Sequence, residues 1–190
     1  LKLDIWQKKH YFYDNPDGQG AAPRPSPGDR MIGIMADSHD NLNAIRWAVR
    51  LFKEAECSLV VHAGDFIAPF AARELQSLGC PVKGVFGNCD GEKIGLAKAI
   101  ESFGSIRKSP YIFNSEGLMV LVSHLNTPLE SYLADQKYDL VIFGHTHKPE
   151  VRRDRKTLAL NPGETGGWLT GKSTVALFDP AKKEPTIITL

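Results

Sequence analysis

The chain reads as an α/β sandwich on three grounds. From Met31 onward, apolar runs of strand length alternate with stretches of helical periodicity. Beyond residue 147 short strands follow one another without helices, which argues against a simple doubly wound sheet. Five of the apolar runs are each followed at once by carboxylate, amide or imidazole side chains, the arrangement of α/β folds that bind ligands at strand ends.

The elements follow in order. MIGIMA (31–36) is a buried strand. Asn41 suits an N-cap, and Leu42, Ile45, Ala48, Val49 and Phe52 recur at helical spacing behind it. SLVVHA (58–63) is the second strand. PFAARELQSL (69–78) reads as a helix with proline in its first turn and Gly79 just past its end. VKGVFG (82–87) is a strand and EKIGLAKAIESF (92–103) a helix. YIFN (111–114) and GLMVLVS (117–123) suggest a hairpin, PLESYLADQK (128–137) a helix, and DLVIFG (139–144) another buried strand. EVRR, KTLAL, STVALFD and PTIITL complete the strand-rich end.

The N-terminal portion differs. Seven of the seventeen residues 14–30 are Gly or Pro, so 1–30 is read as an arm or upstream extension without a catalytic role, and 31–190 as the functional domain. The arm could reach a neighbouring subunit, which leaves a homo-oligomer open. The 190 residues are 42% hydrophobic and 24% charged with net charge +1, a soluble globular composition that gives no strong nucleic-acid signal. No apolar run approaches the roughly 18 residues of a membrane span, and no secretory signal is evident. Three cysteines without metal-finger spacing build no disulfide framework, so a cytoplasmic setting is expected.

The chemistry lies in the residues after the strands: Asp37-Ser38-His39, Gly64-Asp65, Gly87-Asn88-Cys89-Asp90, His124 and Gly144-His145-Thr146-His147. Each alone is weak, since Asp, Gly and Asn are turn residues. Gly-His-x-His is stronger, because positions i and i+2 of an extended segment share a side. Together, in this order, they point to a site built at one sheet edge. His62, inside the second strand, is expected to pack behind it.

This series resembles the calcineurin-like metallophosphoesterase superfamily. The short chain, the GNCD form of the third motif and Asn161-Pro162-Gly163 are similar to its small bacterial and archaeal phosphodiesterase branch. The resemblance covers residues 31–190 and implies a four-layer α/β/β/α sandwich with two metal ions at the strand ends. It implies that Asp37, His39 and His147 hold one ion, that Asn88, His124 and His145 hold the other, and that Asp65 bridges them. Such donors suit borderline or hard divalent ions, with manganese the first expectation and nickel, iron, cobalt or zinc open. Two carboxylates against two divalent ions leave an excess of positive charge, which attracts a phosphate ester and acidifies a bridging water. The implied reaction is hydrolysis of a small phosphodiester by that hydroxide, with ions about 3.5–4 Å apart. The implied catalytic set is Asp65, Asn88, Cys89 and Asp90. The alternative is a non-catalytic scaffold of the retromer-subunit kind, against which the full ligand set argues.

There are departures and a decoy. Many members of the superfamily carry His where this chain has Cys89, a poorer proton donor, so good leaving groups should fare best. Leu125 stands where relatives often have Gly, and Phe66 after Asp65 excludes the tyrosinate ligand of the iron phosphatases. GGWLTGKS (166–173) formally matches a phosphate-binding loop. A β-type run follows it and Trp168 and Leu169 fill it, so a hairpin turn is expected instead. The basic stretch 148–156 is read as a solvated hairpin.

Overall fold

Two mixed β-sheets lie face to face, each covered on its outer face by helices. A computed structural model describes residues 30–190; the arm read over 1–30 lies, apart from Arg30, outside the described residues. The first sheet holds β1 (Ile32–Met35), β2 (Leu59–His62), β3 (Val82–Val85), β4 (Gly104–Arg107), β10 (Thr174–Asp179) and β11 (Glu184–Thr189), in the order β11-β10-β1-β2-β3-β4. The second holds β5 (Tyr111–Ser115), β6 (Leu118–Val122), β7 (Leu140–Ile142), β8 (Pro149–Asp154) and β9 (Thr157–Pro162), in the order β5-β6-β7-β9-β8. The helices are α1 (Leu42–Glu54), α2 (Pro69–Arg73), α3 (Lys93–Ile100) and α4 (Leu129–Asp135).

The period-2 pattern of the strands sorts their side chains into layers. Ile32, Ile34, Leu59, Val61, Val120, Ile142, Leu160 and Phe178 fill the space between the sheets. Met35, Val60, Val82 and Leu177 face outward, onto Ile45, Ala48 and Phe52 of α1 and Leu96 and Ile100 of α3. Leu121, Val141 and Ala159 face the other way, onto Leu129 and Leu133 of α4. The architecture is the α/β/β/α sandwich that the resemblance implies.

Local signals explain the elements and their misreadings. The Asn41 side chain accepts the Ala44 N–H at 3.2 Å and starts α1. The expected helix 69–78 begins with Pro69 but is α-helical only to Arg73, then tightens into a 3₁₀ turn over Glu74–Leu78 that ends at left-handed Gly79. Strand β4 escaped the sequence reading, because Gly104-Ser105-Ile106-Arg107 carries one buried residue and no alternation. Segment 166–173 is not a hairpin turn, since β9 and β10 belong to different sheets and the segment crosses between them. It precedes a strand, which also removes the phosphate-loop reading. The basic stretch does lie in the β8–β9 hairpin, on its exposed strand β8, with Arg152 paired to Glu130, while β9 is buried.

Candidate metal centre

Seven strands run parallel to a neighbour within their sheets, and the loops that follow six of them, β1, β2, β3, β6, β7 and β9, meet at one edge. Those loops tie to one another through the backbone. Asp37 N–H donates to Gly64 C=O at 2.9 Å, His39 N–H to Asp65 C=O at 3.1 Å and Gly144 N–H to His124 C=O at 3.1 Å. Thr165 N–H donates to Ala36 C=O at 2.8 Å, which joins the two sheets at this edge.

Two of the motif glycines are there for close approach. A Cβ on Gly87 would collide with the Asp65 carboxylate, and one on Gly144 would come within 2.8 Å of Asp37 Oδ2. Strain is concentrated here as well. Asp37, His39, Asp65, His145 and His147 all have positive φ, between 40° and 67°. Non-glycine residues in sparsely populated backbone regions cost on the order of 1 kcal/mol or more each and cluster where function over-determines them. The His-x-His segment is therefore not extended, and the i, i+2 argument for it fails. Its two imidazoles go to different neighbours. His147 stacks on His39 with ring centroids 5.2 Å apart, and His145 meets His124 edge-on at 5.2 Å.

The structure brings together ligand atoms of Asp37, His39 and His147, and separately those of Asp37, Asp65 and His124, each set within 4.8 Å. Asn88 joins through its Oδ1, 2.8 Å from His124 Nε2. His145 sits exposed at the rim, with its backbone N–H on Asp37 Oδ2 at 3.0 Å.

Hydrogen bonding decides which nitrogens face the centre. His124 Nδ1 lies 2.8 Å from the Ala63 carbonyl, which only accepts, so Nδ1 carries the proton. In a neutral ring Nε2 is then a bare lone pair, aimed at Asn88 Oδ1 and, 3.4 Å away, Asp65 Oδ2. Three lone-pair atoms converge in this part-buried place, and either a proton on Nε2 or a metal among them relieves their repulsion. Nearby, His39 Nε2 is buried without a hydrogen-bond partner. An orphaned imidazole nitrogen and converging carboxylate, amide and imidazole donors fit a divalent metal.

The electrostatics divide the two carboxylates. Burial pushes Asp37 up to about 6, against the pull of the charges of His124 and His147. Burial acts on Asp65 in the same sense, but bonds from His124 and the Cys89 N–H overcome it and hold Asp65 well below the usual carboxylate range. Burial lowers the His124 ring, yet its bond to Asp65 and that carboxylate's charge raise it overall. His39 goes down, chiefly through burial.

The remaining residues of the sequence reading divide as follows. Asp90 is buried, and its carboxylate accepts the N–H groups of Asp65, Ile67 and Gly87 at 3.1, 2.8 and 2.8 Å. Both oxygens accept backbone N–H groups, which ties the loop of Asp65 to that of Asn88. Cys89 is exposed, and its sulfur lies within reach of His39 and Asp65. Partial burial and then the Asp65 carboxylate push its thiol up to about 11, so it stays protonated at neutral pH. His62 does pack behind the site. Its Nδ1 accepts the Gly64 N–H at 3.2 Å, which leaves Nε2 to donate to Ser38 Oγ at 3.0 Å. Burial drives that imidazole down to about 3.

One functional residue escaped the sequence reading. Glu164, after β9, is fully buried, and its Oε2 lies 3.0 Å from His147 Nδ1. Since a carboxylate accepts, Nδ1 holds the proton and Nε2 of His147 is turned toward Asp37 Oδ1, 3.7 Å away. Burial works against its charge, but the Thr170 side chain, His147 and the amides of Thr170 and Leu169 bring it down to about 2. The signal was present: Glu164 ends the same strand-loop pattern, one residue past the Asn161-Pro162-Gly163 that was noted. Asn161 itself donates to Gly144 C=O at 3.0 Å and Thr146 Oγ1 at 2.9 Å, and so holds the His-x-His turn.

Fold and donor set together define a metal-dependent phosphoric ester hydrolase. The chain belongs to the calcineurin-like phosphoesterase superfamily, whose domain matches residues 31–183. It is 34% identical over 162 residues to a phosphodiesterase of Methanocaldococcus jannaschii, covering 80% of this chain and 95% of that protein. The solved structure of an archaeal phosphodiesterase superposes with a TM-score of 0.80 at 33% identity, over 84% of this chain and 99% of that one. Vacuolar protein sorting 29 of Cryptosporidium parvum matches at a TM-score of 0.62 and 16% identity, over 85% of this chain and 96% of that one, a likeness of fold alone. Among the described residues no helix is long and apolar enough to cross a membrane.

Proposed function

We propose that residues 31–190 form a phosphodiesterase that uses two divalent cations, manganese first among them. Asp37, His39 and His147 would hold one, Asn88, His124 and His145 the other, with Asp65 between. The observation that carries this is the convergence of His124 Nε2, Asn88 Oδ1 and Asp65 Oδ2, an arrangement a cation completes. When bound, the cations supply Lewis-acid neutralisation of the phosphoryl oxygens and an acidified bridging water as nucleophile.

The chain's own groups set the conditions for that chemistry. Asp65, held ionised by its hydrogen bonds, keeps an anionic oxygen between the two clusters. Asp90 fixes the loops that carry Asp65 and Asn88. Cys89, a thiol that retains its proton, offers the leaving oxygen only weak assistance, so esters with acidic leaving groups react best. The diester preference rests on the phosphodiesterase of M. jannaschii.

The test is hydrolysis of bis(p-nitrophenyl) phosphate beside p-nitrophenyl phosphate, with chelator-stripped protein reloaded with manganese. Restored diester turnover is expected. No turnover of either ester with manganese, nickel, cobalt or zinc would overturn the reading.

Glu164 supports His147 from behind, in the way carboxylates orient metal-binding imidazoles. Glu164→Gln should weaken manganese binding about 10- to 100-fold, measured by titration calorimetry. An unchanged affinity would leave Glu164 as an anchor for the following loop only.

A further inference from the structure

The segment 166–173, set aside as a phosphate loop, crosses the edge where the metal-ligand residues gather. It is pinned there at four points. Gly166 N–H donates to Asp37 C=O at 3.0 Å, and Asn41 Nδ2 donates to Gly166 C=O at 2.7 Å. The amides of Leu169 and Thr170 donate to the Glu164 carboxylate that also holds His147. Trp168 Nε1 donates to His39 C=O at 3.0 Å.

Two of these anchors lie on Asp37 and His39 of one cluster, and a third on Glu164, which holds the remaining member, His147. Yet the side chains the segment carries face water. Trp168 is 63% exposed and Leu169 75%. The indole has one polar atom, and that atom is already bonded to the backbone of His39. What it leaves to solvent is apolar ring, fixed in place beside a charged site. A fixed, exposed aromatic surface gains free energy only when something covers it.

We propose that Trp168, with Leu169 beside it, is the platform for a planar ring in the substrate's organic group. The substrate class is then a phosphodiester bearing an aromatic or nucleoside ester, a deepening that rests on the phosphodiesterase reading above. Phosphate and ring are recognised by different physics. The charged centre takes the phosphate, and the neutral indole takes the ring face, as aromatic side chains stack nucleobases irrespective of sequence. Because Trp168 and Leu169 are bonded to His39 and to the carboxylate behind His147, ring and phosphate are held in one frame.

The experiment uses the full, manganese-loaded chain and three p-nitrophenyl diesters that share a leaving group: methyl, phenyl and thymidine 5′-yl. Trp168→Ala should raise KM for the phenyl and thymidyl esters about tenfold more than for the methyl ester. Trp168→Phe, which keeps a ring but loses the bond to His39, should restore most of the difference. Titration with thymidine 5′-monophosphate should quench tryptophan fluorescence in the parent and much less in Trp168→Phe. A larger effect on the thymidyl than on the phenyl ester would assign a nucleoside; equal effects would assign the ring alone. Equal KM changes for all three esters, with the quench retained in Trp168→Phe, would overturn the platform. Absence of turnover with every ester in the parent protein would overturn the phosphodiesterase reading, and this inference with it.

Discussion

Asp65→Asn should lower metal-restored diester hydrolysis by about a thousandfold, the upper range for removing one preorganised electrostatic contact from an active site. The substitution is nearly isosteric. Asn Oδ1 can still accept the Cys89 N–H now bonded to Asp65 Oδ1 at 2.8 Å, so the loop after β3 keeps its anchor. What is lost is the anionic oxygen, Oδ2, which lies 3.6 Å from His39 Nε2 and 3.4 Å from His124 Nε2. This oxygen faces an imidazole of each proposed cluster. Without it, Asp37 is the sole anion among the proposed ligands. Single-turnover kinetics at saturating manganese, with circular dichroism to show an intact fold, make the measurement. Near-parent activity would remove Asp65 from the centre of the mechanism.

Much of this was legible before any coordinates, for a physical reason. Buried strands of parallel sheets are continuous apolar runs, so MIGIMA and DLVIFG stand out, and whatever follows them lies at one edge. Asp37, His39, Asp65, Asn88, His124, His145 and His147 could be named from that rule and a resemblance. What escaped depends on distance across the fold. Glu164 follows a strand as the other site residues do, but its pairing with His147 emerges only once β9 is seen parallel to β7, which places its loop behind that histidine. Asp90 reads in sequence as a reactive carboxylate beside Cys89; three backbone amides from two loops make it a brace. The left-handed backbone of five proposed ligands is not legible in sequence, because Asp and His, although enriched in that region, adopt a positive φ only in a minority of cases. Segment 166–173 misled as a hairpin turn, because sheet membership of the flanking strands is not encoded in the segment itself.

Asp37→Asn should stabilise the metal-stripped protein at neutral pH, by on the order of 2 kcal/mol, while removing its stabilisation by manganese. Burial raises Asp37 from 3.8 to about 6, so between those values the folded protein holds a proton that the unfolded chain has released. Stability from this group is therefore full below about pH 4 and lost as pH rises through about 6. At pH 7.5 the folded, stripped protein carries a buried charge at a cost, and a neutral amide removes it. The amide oxygen can still accept the His145 N–H at 3.0 Å, so the loop after β7 keeps its contact. Asp65 has the opposite sign. Its depressed value means stability present above the ordinary carboxylate pKa and lost as pH falls below it, so Asp65→Asn should destabilise the stripped protein at the same pH. For a domain of this size a few degrees in Tm separate the parent from either variant, in opposite directions. Thermal melts at pH 7.5 and pH 5, with chelator and then with manganese, decide the matter. Asp37→Asn should gain over the parent at pH 7.5, lose about half of that gain at pH 5, and show no rise in Tm on adding metal. A fall in Tm for both variants in chelator would mean that Asp37, like Asp65, is a settled ion pair, and not a carboxylate whose charge a metal must balance.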